Sequence, residues 1–290
     1  MKTRSQGLLL VHLAVLFFGF PGVIGKLLPL TPVQLTWSRV FLASLGLLAI
    51  MIWQKEKFNL GRARDIWLIL ASGLLLGFHW TAFFRSVQVS TVAVGLLSYS
   101  TFPIFTVFLE PWLLRLKFRR SYLLLSLACF LGVAVMVPEF KLSNRIFLGV
   151  VWGIMSGLSF SLLTIINRVL SPRYSSLVVA FYQDSLAMIF LLPLFLSNLP
   201  SLDFGARDIS LILFLGLVCT AGAHTMFISG LRFIEARLTS LLSSLEPVYG
   251  IVFGYLWLRE IPDLRTIGGG LLILASVIII SWQSLNYNKT

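Results

Sequence analysis

Glu246 is an acidic residue that lies deep inside a long apolar run and is followed directly by Pro247. A charge at the centre of a membrane helix costs at least about 2.5 to 3.5 kcal/mol, so such residues usually face a cavity or a partner. The carboxyl group could bind a cationic part of a cargo or exchange a proton. Pro247 loosens the preceding turn and frees carbonyl groups. A structural kink with a protonated glutamate is the alternative interpretation.

His79 and His224 lie in two further apolar runs. Each imidazole could hydrogen-bond to a cargo or take up a proton near neutral pH, although a buried histidine can equally satisfy a helix–helix contact. The two histidines lack convergent acids or thiols, so we expect no zinc site. Cys129 and Cys219 are each embedded in an apolar run and predict neither a disulfide framework nor a thiolate site. We expect no cofactor.

Arg39 and Asp184 are charged residues that lie in two other apolar runs. If these runs cross a membrane, the two residues lie near its opposite faces. Their depths differ by roughly 10 Å in a slab about 30 Å thick, so we do not expect a tight ion pair. Arg39 is expected to extend to the interface or to bond a neighbouring helix. Asp184, beside Tyr182 and Gln183, is a candidate inner gate or proton-linked acid. Asn167 either caps the carbonyl groups that end its own run or faces the vestibule.

The elements that must position these residues follow from composition. Of the 290 residues, 58% are hydrophobic and 12% are charged, and the mean hydropathy is +0.92, which excludes a soluble enzyme. Runs of about 20 apolar residues must be helices, because unpaired backbone groups are costly in hydrocarbon. The ten predicted spans are 8–25, 33–53, 66–86, 91–112, 121–138, 146–167, 177–196, 209–230, 237–258 and 264–282.

The net charge of +12 would suggest nucleic-acid binding in a soluble domain. Here the basic residues lie in short gaps between apolar runs and no nucleic-acid-binding signature accompanies them. We therefore expect contact with membrane lipids and none with nucleic acid. With the amino terminus inside, fifteen Lys and Arg face the cytoplasm and seven face the other side, which predicts that both termini are cytoplasmic. The first apolar run predicts a retained span rather than a cleaved signal peptide.

The two halves of the chain, 1–143 and 144–290, are similar in order and spacing. A shift by half the chain length aligns 77–79 with 222–224, both Gly-x-His, and 96–98 with 241–243, both Leu-Leu-Ser. Each half has five predicted spans, and this odd number places the second half in the membrane in the opposite orientation. Inverted repeats are typical of transporters, with a substrate site near the midplane where the repeats meet.

The chain resembles the EamA-type, ten-helix bacterial members of the drug/metabolite transporter superfamily. The resemblance rests on the two five-span halves, on Pro103 in the fourth span, on Ser-Leu-Glu-Pro at 244–247 in the ninth, on Arg39 in the second, and on Asn167 with Arg168 closing the sixth. The chain departs from the symmetry of its own halves where Phe102 stands opposite Glu246.

The resemblance implies a basket-like bundle in which helices one, three, four, six, eight and nine surround a central cavity, with helices five and ten outside. It also implies transport of small metabolites, often export of amino acids or related compounds, across the bacterial inner membrane. Aromatic residues on the implied cavity helices suit a partly apolar cargo, although lipid-facing or packing positions are the alternative. These residues are Phe18, Tyr99, Phe160 and Phe227.

The predicted function is a secondary or facilitative carrier that works by alternating access. Walker, His-Glu-x-x-His and Gly-x-Ser-x-Gly motifs are absent from the sequence, so we predict no enzyme. A lipid-linked flippase or a non-transporting membrane protein is the alternative. Gly132 in the fifth span and the glycines at 268–270 in the tenth predict close helix packing or a homodimer contact.

The predicted topology can be tested with impermeant thiol reagents. In a background with Cys129 and Cys219 replaced by alanine, Lys57→Cys should react only from the cytoplasmic side, because Lys57 lies in a basic cytoplasmic loop. Lys141→Cys serves as the control and should react only from the opposite side. Labelling of Lys57→Cys from outside intact cells would contradict the predicted orientation.

Overall fold

A computed structural model describes residues 4–58, 61–115, 121–199, 204–230, 233, 242–243 and 245–286 of the chain. Within these ranges the regular structure is helical throughout. In chain order the helices are α1 (Arg4–Leu27), α2 (Pro32–Trp53), α3 (Ala63–Val89), α4 (Val92–Leu114), α5 (Ser121–Met136), α6 (Arg145–Leu170), α7 (Ser176–Leu196), α8 (Ala206–Gly230), α9 (Glu246–Phe253, continued by a π-helical turn Gly254–Leu258) and α10 (Leu264–Asn286).

These helices confirm the predicted all-α membrane fold. Seven of them, α1 to α4 and α6 to α8, are long and apolar enough to cross a membrane, and α5 and α10 contain shorter apolar stretches. The predicted spans appear in order, with α1, α3 and α8 starting earlier than expected. The beginning of the predicted ninth span, at 237–241, lies outside the described residues.

Three helices are interrupted along their length, and a fourth starts directly after a turn. α1 breaks at Gly19, α4 breaks at Ser100 and Thr101, and α8 contains a π-helical segment, Phe214–Gly222. The turn lies at Leu245, just before α9. Pro103 and Pro247 lie in the first turn of the helical segments that follow the breaks in α4 and before α9. A proline needs no hydrogen-bond acceptor there, so these prolines start helices at the predicted kinks.

The packing follows the predicted repeat, which relates α1 to α6, α3 to α8 and α4 to α9. α3 packs against α6, and its counterpart α8 packs against α1. α4 packs against α6, and α9 packs against α1. Arg115 and Arg259 end the corresponding helices α4 and α9 in the left-handed region, with φ of 55° and 57°. Within the described residues, the two halves of the chain therefore meet along matching contacts.

Gly132 and Gly269 bring α5 and α10 together at the edge of the bundle. A Cβ atom added to Gly132 would lie 2.7 Å from the carbonyl oxygen of Gly269, and Gly270 packs against Leu97. The glycines predicted to mediate packing or dimerisation thus make contacts inside the chain. Gly268 has no neighbouring atom within 4 Å of such a position. A homodimer through these two helices stays a prediction.

Gly269→Ala should destabilise the protein, because its methyl group would clash with the backbone of α5. Overpacking of this kind costs about 1 to 3 kcal/mol, so the thermal unfolding temperature in detergent should fall by several degrees. Gly268→Ala is the matched control and should leave the unfolding temperature unchanged or raise it, because alanine favours helix formation. Equal unfolding temperatures for the two variants would contradict the α5–α10 contact.

Candidate functional site

A central cavity is formed where the two repeats meet. In the described part of the chain its lining comes from seven helices, including α2, which the sequence-based set of cavity helices omitted. α5 and α10 contribute no lining residue within the described ranges. The lining residues are Phe18, Pro21, Arg39, Leu76, His79, Trp80, Phe83, Tyr99, Phe160, Thr164, Asn167, His224, Phe227 and Glu246.

Arg39 is the cationic residue of the cavity wall, and its side chain is only 1% exposed. Its Nε donates a hydrogen bond to Thr220 Oγ1 at 2.9 Å, and its guanidinium lies 3.9 Å from the ring centroid of Trp80. A desolvated cation–π contact of this type is worth about 2 kcal/mol. The expectation that Arg39 extends to the interface is wrong, and its alternative, a bond to a neighbouring helix, is confirmed.

The π-helical segment of α8 positions the partner of Arg39. Thr220 Oγ1 donates a hydrogen bond to the carbonyl of Leu215, five residues earlier, at 2.6 Å. Because its proton is used there, the oxygen offers a lone pair to Arg39. The distortion of α8 therefore supplies an acceptor for the buried guanidinium.

Glu246 lines the cavity at the first turn of α9 and is 6% exposed. A carboxylate is stabilised at a helix amino terminus by the helix dipole. Among the described residues no ion pair joins Glu246 or Asp184 to Arg39. Asp184 is fully buried and does not line the cavity. That position does not suit a gate in the cavity wall, and the proton-linked role of Asp184 stays a prediction.

Asn167 lines the cavity, as one of its two predicted roles requires. Its Oδ1 accepts a hydrogen bond from Gln183 Nε2 at 2.5 Å. α6 continues past Asn167 to Leu170 and its C-cap is Ser171, so Asn167 does not occupy the helix end that the capping alternative requires. This bond connects the cavity wall to the residue next to Asp184.

The two histidines line the same cavity, with Trp80 between them. Their ring centroids lie 6.3 Å and 6.0 Å from that of Trp80. His79 Nδ1 is 2.8 Å from Ser156 Oγ and 3.1 Å from the Ser156 carbonyl, and Ser156 Oγ donates to the His79 carbonyl at 3.0 Å. This set is satisfied when Nδ1 carries the proton, which leaves Nε2 as an acceptor. His224 Nδ1 has no hydrogen-bond partner within the described ranges.

The aromatic residues predicted for the cargo path meet in the cavity wall. Tyr99 and Phe160 lie 5.5 Å apart, Phe18 and Phe227 5.7 Å apart, and His79 and Phe160 4.8 Å apart between ring centroids. These separations suit offset or edge-to-face contacts. Their roles in binding stay predictions, since packing alone also accounts for such contacts.

Trp80 and Phe83 are lining residues that sequence reasoning missed. With 24 Phe and 8 Trp in the chain, aromatic identity alone does not single out a position. The available signal was Arg39, since a buried guanidinium calls for an aromatic or polar partner. Which aromatic residue supplies it depends on how α3 is rotated toward α2.

Two ion pairs lie near the ends of the bundle. Lys26 Nζ is 3.4 Å from Glu260 Oε1, and Glu260 Oε2 accepts a hydrogen bond from the Val92 amide at 2.8 Å. Arg168 forms the other pair, with Glu110. Lys26 and Arg168 occupy corresponding positions in the two repeats. One pair therefore ties α1 to the segment after α9, and the other ties α6 to α4.

Comparison with known proteins adds independent findings. The sequence matches the EamA-like transporter family over residues 5–137 and again over 147–282. It is 24% identical over 285 residues to the uncharacterized transporter YxxF of Bacillus subtilis (strain 168), covering 96% of this chain and 90% of that protein. It is 23% identical over 290 residues to the S-adenosylmethionine uptake transporter of Rickettsia prowazekii (strain Madrid E), covering 98% and 95%.

A further relative is the pseudopaline exporter CntI of Pseudomonas aeruginosa (strain UCBPP-PA14), 23% identical over 241 residues that cover 83% of this chain and 84% of that protein. A solved crystal structure shares the fold, with a TM-score of 0.69, 15% identity and coverage of 98% and 97%. These relatives are named transporters, so the chain is a membrane transporter rather than an enzyme.

Because Thr164 lines the cavity, we expect Thr164→Cys to react with a small thiol reagent more readily than the wild-type protein. Cys129 and Cys219 are fully buried and do not line the cavity, so the wild-type protein should react little with the small reagent methyl methanethiosulfonate. Thr164→Cys should add one reactive thiol, because Thr164 is a half-buried lining residue. Mass spectrometry of the intact protein counts the modified thiols. A Thr164→Cys variant as inert as the wild type would contradict the cavity.

Proposed function

The chain belongs to the EamA-like transporter family, and on that premise we propose that it carries a small zwitterionic metabolite across the bacterial inner membrane by alternating access. The cargo has a carboxylate, an amino group and an apolar or aromatic body, as amino acids and their derivatives do. A saturable carrier of this kind needs no cofactor.

The single observation that carries this proposal is that Arg39 and Glu246 line one cavity without pairing to each other among the described residues. A guanidinium binds a carboxylate through charge-assisted hydrogen bonds, and a carboxylate binds an ammonium group in the same way. The aromatic walls supply contact area for the rest of the molecule. A zwitterion would therefore satisfy both charges at once.

The named relatives support a metabolite cargo. One is named for uptake of S-adenosylmethionine and another for export of pseudopaline. S-adenosylmethionine itself carries an amino-acid end. Its carboxylate and amino groups are the groups that Arg39 and Glu246 would bind. Names for both uptake and export occur among proteins with this sequence pattern.

The two repeats and the two ion pairs support alternating access. In a transporter built from inverted repeats, closing contacts on one side of the membrane have counterparts on the other. The two ion pairs could act as such closing contacts, because they join corresponding helices near opposite ends of the bundle. They are Lys26 with Glu260 and Arg168 with Glu110. The excess of basic residues in the predicted cytoplasmic loops supports cytoplasmic termini.

Flux into proteoliposomes tests the proposal. The probes are the twenty proteinogenic amino acids and S-adenosylmethionine, each radiolabelled and compared with protein-free vesicles. Saturable uptake of at least one probe is expected. Lack of uptake of every probe would contradict the proposed cargo class. Scrambling of fluorescent lipid without uptake would favour the flippase alternative.

Variants of the two charged residues sharpen this test. Arg39→Gln and Glu246→Gln each remove one charge-assisted hydrogen bond worth about 1.5 to 3 kcal/mol, so the affinity for the transported probe should fall roughly 10-fold to 100-fold. Arg207→Gln is the control, because Arg207 is exposed and lies outside the cavity. The result would contradict the assignment if the three variants transported the probe with wild-type affinity while remaining folded.

A further inference from the structure

Asp184 is a buried acid behind the cavity, in the middle of α7. It is 0% exposed, and neither carboxylate oxygen has a hydrogen-bond partner within the described ranges. An ionised carboxylate in such a place would carry a large desolvation cost without compensation. A protonated carboxyl group avoids most of that cost.

Among the described residues, the helices packed against α7 are α2, α3 and the last part of α8, Ala223–Gly230. Asp65 is already paired with Arg173 and Tyr174, and Arg85 is exposed. Arg39 is a buried cation on α2, which packs against α7, and it lines the cavity together with Glu246. Its positive charge therefore favours an ionised form of either acid. The titratable or charged side chains of α2, of α3 and of α8 from Cys219 onward are Arg39, Arg64, Asp65, His79, Arg85, Cys219 and His224, and Arg64 is exposed.

Charge neutrality sets the proton count of this cluster. Arg39, Asp184 and Glu246 are one cation and two acids, all buried, and no ion pair forms among them within the described residues. One bound proton makes the cluster neutral, and a net buried charge would cost several kcal/mol. Glu246 borders the cavity and the amino terminus of α9, where an ionised form is favoured, so the proton belongs on Asp184.

We propose that Asp184 is a proton-binding site of the transport cycle, separate from the cargo cavity and coupled to it through Arg39. The coupling to cargo rests on the proposed function, whereas the protonation of Asp184 does not. The position of Asp184 does not by itself depend on which compound is carried.

The coupling follows from electrostatics. A cargo carboxylate beside Arg39 offsets the guanidinium charge and so removes the main stabilisation of an ionised Asp184. Cargo and proton therefore favour each other, and by linkage the effect is reciprocal. Raising the pH removes the proton and should weaken cargo binding, by up to about tenfold per pH unit for one proton. Gln183, hydrogen-bonded to Asn167 in the cavity wall, lies next to Asp184 in the chain.

Infrared spectroscopy tests the site without any cargo. The purified full-length protein is labelled with aspartate carrying ¹³C in its side-chain carboxyl group, and spectra are compared between neutral and strongly alkaline buffer. A protonated buried carboxyl gives a C=O band that should shift with the label, disappear at high pH and be absent from Asp184→Asn. Asp263→Asn is the matched control and should keep the band, because Asp263 is exposed, lies outside the cavity and its replacement leaves the charges of Arg39, Asp184 and Glu246 unchanged.

Absence of a label-sensitive band in the wild-type protein would overturn the proposal, as would its survival in Asp184→Asn. Asp184→Glu checks folding, and it should restore a C=O band that the aspartate label does not shift. In proteoliposomes, the probe from the flux panel that is taken up fastest should lose affinity as the pH rises in the wild type and keep it in Asp184→Asn. A wild-type protein that transports this probe with no pH dependence, or with sodium dependence instead, refutes the coupling while the carrier function stands.

Discussion

Backbone N–H and C=O groups cannot be left without hydrogen-bond partners in hydrocarbon, and the architecture of this protein follows from that constraint. It makes every span a helix and allows irregular backbone only beside protein or a cavity. The interruptions in α1, α4 and α8 and the turn before α9 all lie next to lining residues: Phe18, Tyr99, His224 and Glu246. Ser100 and Thr101 hydroxyls bond carbonyl groups at one break. The breaks and the cavity are therefore one feature.

A charged side chain in hydrocarbon also needs partners. Arg39 remains in the bundle because Trp80 covers its guanidinium and Thr220 accepts from its Nε. Thr220 is available because α8 is π-helical at that point. A distortion in one repeat thus stabilises a charge contributed by the other, and the cavity depends on both halves.

The repeat supplies a symmetric scaffold, but the chemistry of the cavity is asymmetric. Pro103 and Pro247 start corresponding helix segments, yet Phe102 in one half stands where Glu246 lies in the other. Phe102 stacks on Tyr99 at 5.4 Å, which makes that side of the site aromatic. α5 and α10, joined through Gly132 and Gly269, stay outside the cavity and stabilise the edge of the bundle.

By itself the sequence determined the helical class, the order of the spans and most of the polar and aromatic residues that line the cavity. Hydrocarbon thickness sets span length, and the cost of burying polar groups makes such residues conspicuous in an apolar chain. The tertiary structure decided the partners of Arg39, the placement of both histidines around Trp80 and the position of Asp184 behind the cavity wall. Those contacts depend on the rotation of each helix about its axis and join residues as much as 181 positions apart, as Arg39 and Thr220 are. Periodicity and depth along a single helix carry no information about such pairings.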